Sequence, residues 1–101
     1  MATPDLDSRV SREDFSLYIL SCADGSLYTG ISTDVQSRLA QHERGTRGAK
    51  YLRGRAPFSL VFEQRVGDRS AAQRLEYQVK KLSRDQKKQL IAGRLTLDAI
   101  A

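Results

Sequence analysis

Apolar positions cluster in two short stretches near the start of the chain that have the composition of strands. Phe15 to Ser21 is aromatic, β-branched and apolar, which suits a strand. Ala23-Asp24-Gly25-Ser26 is a turn signal, because Asp-Gly tolerates the positive φ that tight hairpin turns need. Leu27 to Ser32 is then the returning strand. From Val35 to about Glu43 the period becomes helical, with Thr33 or Asp34 as N-cap and Gly45 as a stop. Phe58 to Val66 alternates, with Leu60, Phe62 and Val66 expected on one face and Glu63 and Arg65 on the other. After the Gly67-Asp68 turn, Ser70 is a candidate N-cap. Ala71, Leu75, Val79 and Leu82 then recur at helical spacing. Ser83 can cap a further helix to about Ala92, where Gly93 ends it.

The order β-β-α-β-α-α predicts an α+β domain, a small three-stranded antiparallel sheet flanked by helices. The pattern assigns residues 15–93 to that domain, 1–14 to a flexible N-terminal tail and 94–101 to a C-terminal tail. The 101 residues fit one compact domain with a modest core.

The stretch from Thr46 to Pro57 lacks any period and reads as a long loop, a kind that in compact domains is usually functional or disordered. Its charge changes the picture. Arg44, Arg47, Lys50, Arg53 and Arg55 stand in twelve residues with no acidic one, and Asp34 to Lys88 holds fourteen basic and six acidic residues. With +5 overall and a pI near 9.7, this clustering points to a polyanionic partner. No apolar run is long enough to span a bilayer and no signal-peptide core precedes the first strand, so the expectation is a cytoplasmic protein without a membrane partner. One cysteine, Cys22, and one histidine exclude an internal disulfide and a Cys/His zinc site.

Candidate chemistry sits in a few places. Tyr18 and Tyr28 flank the hairpin turn, and Gly30 beside them implies a close backbone approach or a bulge. Arg38 and His42 share a helix face with Val35 and Leu39, where a charge is costly without a partner or a job. Arg38 can equally snorkel at the edge of that face, and Glu76 can equally form a plain helix pair with Lys80.

Taken together, Leu17-Tyr18-Ile19, Tyr28-Thr29-Gly30, Arg38 with His42, and Glu76 resemble the GIY-YIG nuclease superfamily, above all its small single-domain bacterial members. The chain is similar at longer range to junction-cutting nucleases and to the incision domain of the nucleotide-excision nuclease. Thr29 stands where the second motif carries isoleucine. The resemblance implies an endonuclease that hydrolyses phosphodiester bonds in DNA, with a place in repair or recombination. It implies that Glu76 holds one Mg²⁺ or Mn²⁺, that Arg38 clamps the phosphate, and that Tyr18 takes a proton from the attacking water. Tyr28 would orient water or phosphate or share the base role, and His42 would assist proton transfer or bind phosphate. The implied pKa of the base is lowered by the metal or by Arg38. The basic loop (Arg44, Arg47, Lys50, Arg53, Arg55), with Lys80 and Lys81, would hold the nucleic-acid backbone without reading sequence. The small size leaves room for a protein partner or a second copy of the chain. It also keeps open a second reading, a non-catalytic nucleic-acid-binding module of the same fold.

Overall fold

A computed structural model describes residues 14–44 and 54–101. Three strands, β1 (Phe15–Ser21), β2 (Leu27–Ser32) and β3 (Ser59–Gly67), form one antiparallel sheet in the order β2-β1-β3. Helix α1 (Val35–Arg44) follows β2, and α2 (Arg69–Lys80), α3 (Arg84–Ile91) and α4 (Leu97–Ile100) follow β3. The expected α+β architecture is therefore present, with one helix more among the described residues than the sequence pattern predicted.

The alternation of β1 feeds two cores. Leu17 and Ile19 are fully buried with Val79 of α2, Leu90 of α3 and Leu97 of α4. On the other side Leu20 packs with Cys22 and Phe58, against Tyr28, Leu39 of α1 and Leu60. Cys22 is buried with a free thiol. The hairpin has the register Tyr18↔Gly30 and Leu20↔Tyr28, which brings both tyrosines to the α1 side of the sheet. Gly25 in the turn takes φ +85°, the conformation that Asp-Gly favours.

Three local expectations are corrected. Leu60 does not share a face with Phe62 and Val66: it packs with Leu20 and Phe58, while the other two join the Leu17 core. The cause is a register shift. Ile19 pairs with Phe62 and Leu20 with Leu60, so Val61 is an extra residue, and Val66 is another between the Phe15–Gly67 and Ser16–Arg65 pairs. Each bulge reverses the phase of the alternation beyond it. Helix α2 is capped by Asp68 rather than Ser70; the Asp68 carboxylate accepts the Ala71 amide at 2.8 Å. Residues 94–101 are not all tail, since Thr96 caps α4 and Leu97 is buried in the main core. The capping of α1 by Asp34 and of α3 by Ser83 follows the sequence reading, the latter as a full capping box with Gln86. The assignment of 1–13 to a tail lies outside the described residues, as does the loop over 45–53.

Among the described residues no helix is long and apolar enough to cross a membrane.

Candidate active site

Strand pairing and one helix turn assemble the aromatic part of the site. Tyr18 faces Gly30 across the hairpin, and its ring lies flat over that glycine. A methyl group built on Gly30 would stand 2.6–2.8 Å from the phenol ring and hydroxyl of Tyr18, well inside contact distance. Gly30 is thus the close approach its place in a strand implied. Tyr28, two residues earlier on the same strand, is the diagonal neighbour, with ring centroids 6.4 Å apart.

Helix α1 lays His42 onto this pair. Its ring is edge-on to Tyr18, Tyr28 and Phe58, at centroid distances of 6.4, 5.6 and 6.5 Å. His42 is 4% exposed, and its Nε2 lies 3.1 Å from the Tyr18 hydroxyl. Its Nδ1 is buried and finds no partner among the described residues. An orphaned buried nitrogen costs on the order of 1–3 kcal/mol, which a helix stripe built only for packing would avoid. Arg38, one turn earlier on α1, is half-buried and donates to Gln41 Oε1 at 3.2 Å.

The electrostatics of the site favour neutral aromatic groups. Burial pushes the Tyr18 phenol up to about 12, and the neighbouring Tyr28 adds to the rise; the Arg38 guanidinium beside the hydroxyl pulls down, and the Glu76 carboxylate pushes up. Tyr28 is also raised, chiefly by burial, with Lys80 and Arg38 opposing and Glu76 reinforcing. His42 is lowered, first by burial and then by the charge of Arg38. Arg38 by itself does not bring the Tyr18 pKa below its ordinary value: dehydration of a phenol that is 2% exposed outweighs the guanidinium, which leaves the lowering to the metal. Because the folded pKa lies above the ordinary value of 10, Tyr18 contributes stability that is whole below pH 10 and disappears between pH 10 and about 12. Tyr18→Phe is expected to flatten the alkaline loss of stability by about 2–3 kcal/mol, read from denaturant midpoints across that window; an unchanged slope would count against a dehydrated phenol.

Glu76 projects from α2 and is half-buried, its carboxylate 3.3 Å from the Lys80 ammonium one turn on. The plain helix pair expected from the sequence is present, and the same carboxylate also acts on both tyrosines. Tyr18, Tyr28, Arg38, His42 and Glu76 are therefore brought into one electrostatic neighbourhood. Among the described residues no group of three or more His, Cys, Asp or Glu side chains forms a cage for a metal. A single carboxylate suits Mg²⁺ or Mn²⁺ that keeps most of its waters and takes oxygen from a substrate phosphate, so the residues fit a site completed by substrate.

The predicted backbone contacts separate. Arg55 is ion-paired with Asp24 in the β1–β2 turn, and its carbonyl accepts the Ala23 amide at 3.0 Å. It fastens the hairpin to the approach of β3. Lys80 is held by Glu76, and the Lys81 ammonium lies 4.8 Å over the exposed Tyr77 ring. Arg47, Lys50, Arg53 and the Arg44 side chain lie outside the described residues. Phe58 as the third wall around His42 carries no sequence signal beyond being aromatic. The Asp24–Arg55 pair joins positions 31 apart, which no local pattern marks.

Comparison with known proteins agrees with this geometry. A family model described as the GIY-YIG catalytic domain matches residues 14–89, from the residue before β1 into α3. The chain belongs to the GIY-YIG family. A UPF0213 protein of Cronobacter sakazakii is 51% identical over 88 residues, 87% of this chain and 92% of that protein. One from Sodalis glossinidius is 58% identical over 76 residues, 75% of this chain and 70% of its own. A UPF0213 protein of Bacillus halodurans, solved by NMR in solution, is 48% identical with a TM-score of 0.52, covering 80% of this chain and 85% of the other. A protein of E. faecalis, also solved by NMR, is 37% identical with a TM-score of 0.57 at the same coverage. The GIY-YIG fold of this chain is thereby the fold of a nuclease superfamily, whose substrates are nucleic acids. In it, β1 and β2 carry the two motif tyrosines, α1 the arginine and histidine, and α2 the glutamate.

Proposed function

We propose that this GIY-YIG protein is a divalent-metal-dependent endonuclease that hydrolyses phosphodiester bonds in DNA, acting on single-stranded, branched or damaged substrates of the kind met in repair or recombination. The observation that carries the reading is the Tyr18–His42 hydrogen bond beside the half-buried Arg38. A phenol pushed up to about 12 is a poor base by itself at neutral pH. Hydrogen-bonded to neutral His42, it need not ionise beforehand: as Tyr18 takes the proton of the attacking water, its own proton passes to His42 Nε2. The lowered pKa of His42 supports this, because the imidazole is then free to accept at neutral pH. Arg38 offsets the charge that develops on the phosphate oxygens, a role its planar fork suits. Tyr28 orients the water or the phosphate. Glu76 would hold the divalent ion, which when bound supplies Lewis-acid polarisation of the scissile phosphate.

Labelled single-stranded, duplex, flap and junction DNA, incubated with Mg²⁺ or Mn²⁺, tests this. Wild-type protein is expected to cut at least one of them, and Arg38→Ala to cut it about 100-fold more slowly. Binding without cleavage under either metal would leave the non-catalytic binding module as the better reading.

A further inference from the structure

Beside the tyrosine site the surface opens into a second cleft of about 410 Å³, lined by Phe15, Ile31, Ser32, Thr33, Arg38 and Arg69. We propose that this cleft is a backbone subsite for the nucleotide next to the scissile phosphate, and that Arg69 binds the flanking phosphate there. The inference rests on the nuclease reading and extends it to a residue that the family motifs do not include.

Two cations line the cleft without acidic partners. Arg65 is neutralised by Asp14 and Arg55 by Asp24, but among the described residues neither Arg38 nor Arg69 belongs to an ion pair. Arg69, the first residue of α2, is exposed and extends over the Phe15 ring at 5.0 Å, a stacking that favours keeping the guanidinium at the cleft. The floor below is apolar (Phe15, Ile31) and the rim carries two hydroxyls (Ser32, Thr33). An apolar floor for a sugar or base, with guanidinium and hydroxyl groups for phosphate, is the chemistry of one nucleotide.

The neighbouring surface gives the path a direction. On the other side of Thr33 lies a second depression, lined by Asp14, Asp34, Glu63 and Arg65 among others. Its one cation is already bound by Asp14, so its remaining carboxylates repel a polyanion. A strand whose scissile phosphate sits at Arg38 is therefore turned away from the start of α1 and drawn along Arg69.

The test places a single uncharged methylphosphonate at each phosphate flanking the cleavage site. With wild-type protein, one flanking position is expected to lower kcat/KM about tenfold. In Arg69→Ala the unmodified DNA should be cut about tenfold more slowly, and the neutral linkage at that position should then cost nothing further. Arg69→Gln, which keeps a hydrogen-bonding side chain over Phe15, guards against a folding defect and should show the same loss of coupling. Unchanged methylphosphonate sensitivity in both variants would overturn the subsite while leaving the nuclease intact. A wild-type protein that cuts no substrate would remove the nuclease reading, and the subsite with it.

Discussion

Glu76→Gln is expected to slow single-turnover cleavage by about 1000-fold, at the upper end of what one preorganised electrostatic group contributes. The carboxylate is the metal-binding group we assign, and no neighbouring cluster of acidic or imidazole ligands among the described residues stands ready to replace it. The fold should not notice. Glu76 makes a helix-surface pair with Lys80, and pairs of that kind contribute roughly 0.3–0.5 kcal/mol. Two readouts accompany the rate. The melting temperature should stay within a few degrees, and the ultraviolet titration of the tyrosines should move slightly to lower pH, because burial still raises Tyr18 and Tyr28 but the smaller push from the Glu76 charge is gone. A variant that cuts as fast as wild type would end the catalytic assignment of Glu76.

The second large effect comes from a residue with no side chain. Gly30→Ala would set a methyl 2.6–2.8 Å from the Tyr18 ring and hydroxyl. Real side-chain carbons do not sit that close, and Tyr18 is 2% exposed, with little space to retreat. Overpacking of this kind costs about 1–3 kcal/mol, and a displacement of about 1 Å at the reacting group can cost about 100-fold in rate. Chemical denaturation and single-turnover cleavage should therefore both respond. In a Tyr18→Ala background, which has already lost the buried ring, Gly30→Ala should cost little further stability, and none of the activity should return. If Gly30→Ala costs as much stability without the Tyr18 ring as with it, contact with that ring is not the source of the cost.

Much of this site was legible along the chain, for local reasons. The hairpin follows from an Asp-Gly turn between two runs of strand-forming composition, and its pairing puts Tyr18 and Tyr28 on one face. Arg38 and His42 stood out because polar groups on a packing stripe are expensive, and His42 is indeed buried against Tyr18. What stayed hidden depends on contacts between distant positions. The bulges at Val61 and Val66 insert ordinary valines, which have no signature, yet they decide which face Leu60 takes. The shift of the α2 cap from Ser70 to Asp68 turns on two residues that are both good caps. Arg55 looked like one more cation of the basic loop until the fold brought Asp24 beside it. The rise in Tyr18's pKa needed the burial of the ring, which the alternation alone does not measure. Arg69 carries no signal in the sequence, and only the cleft beside Arg38 sets it apart.

The two bulges also bear on how the protein behaves in a crowded solution. Among the described residues β3 is an edge of the sheet, and such an edge offers unpaired amide and carbonyl groups to any passing strand. Two extra residues within nine break that row twice, and the charged Glu63 and Arg65 stand between them. A strand from another molecule would find no straight ladder to extend, so the edge resists sheet-to-sheet aggregation. The irregularity that defeats a simple reading of β3 thereby acts as a guard for the sheet's edge.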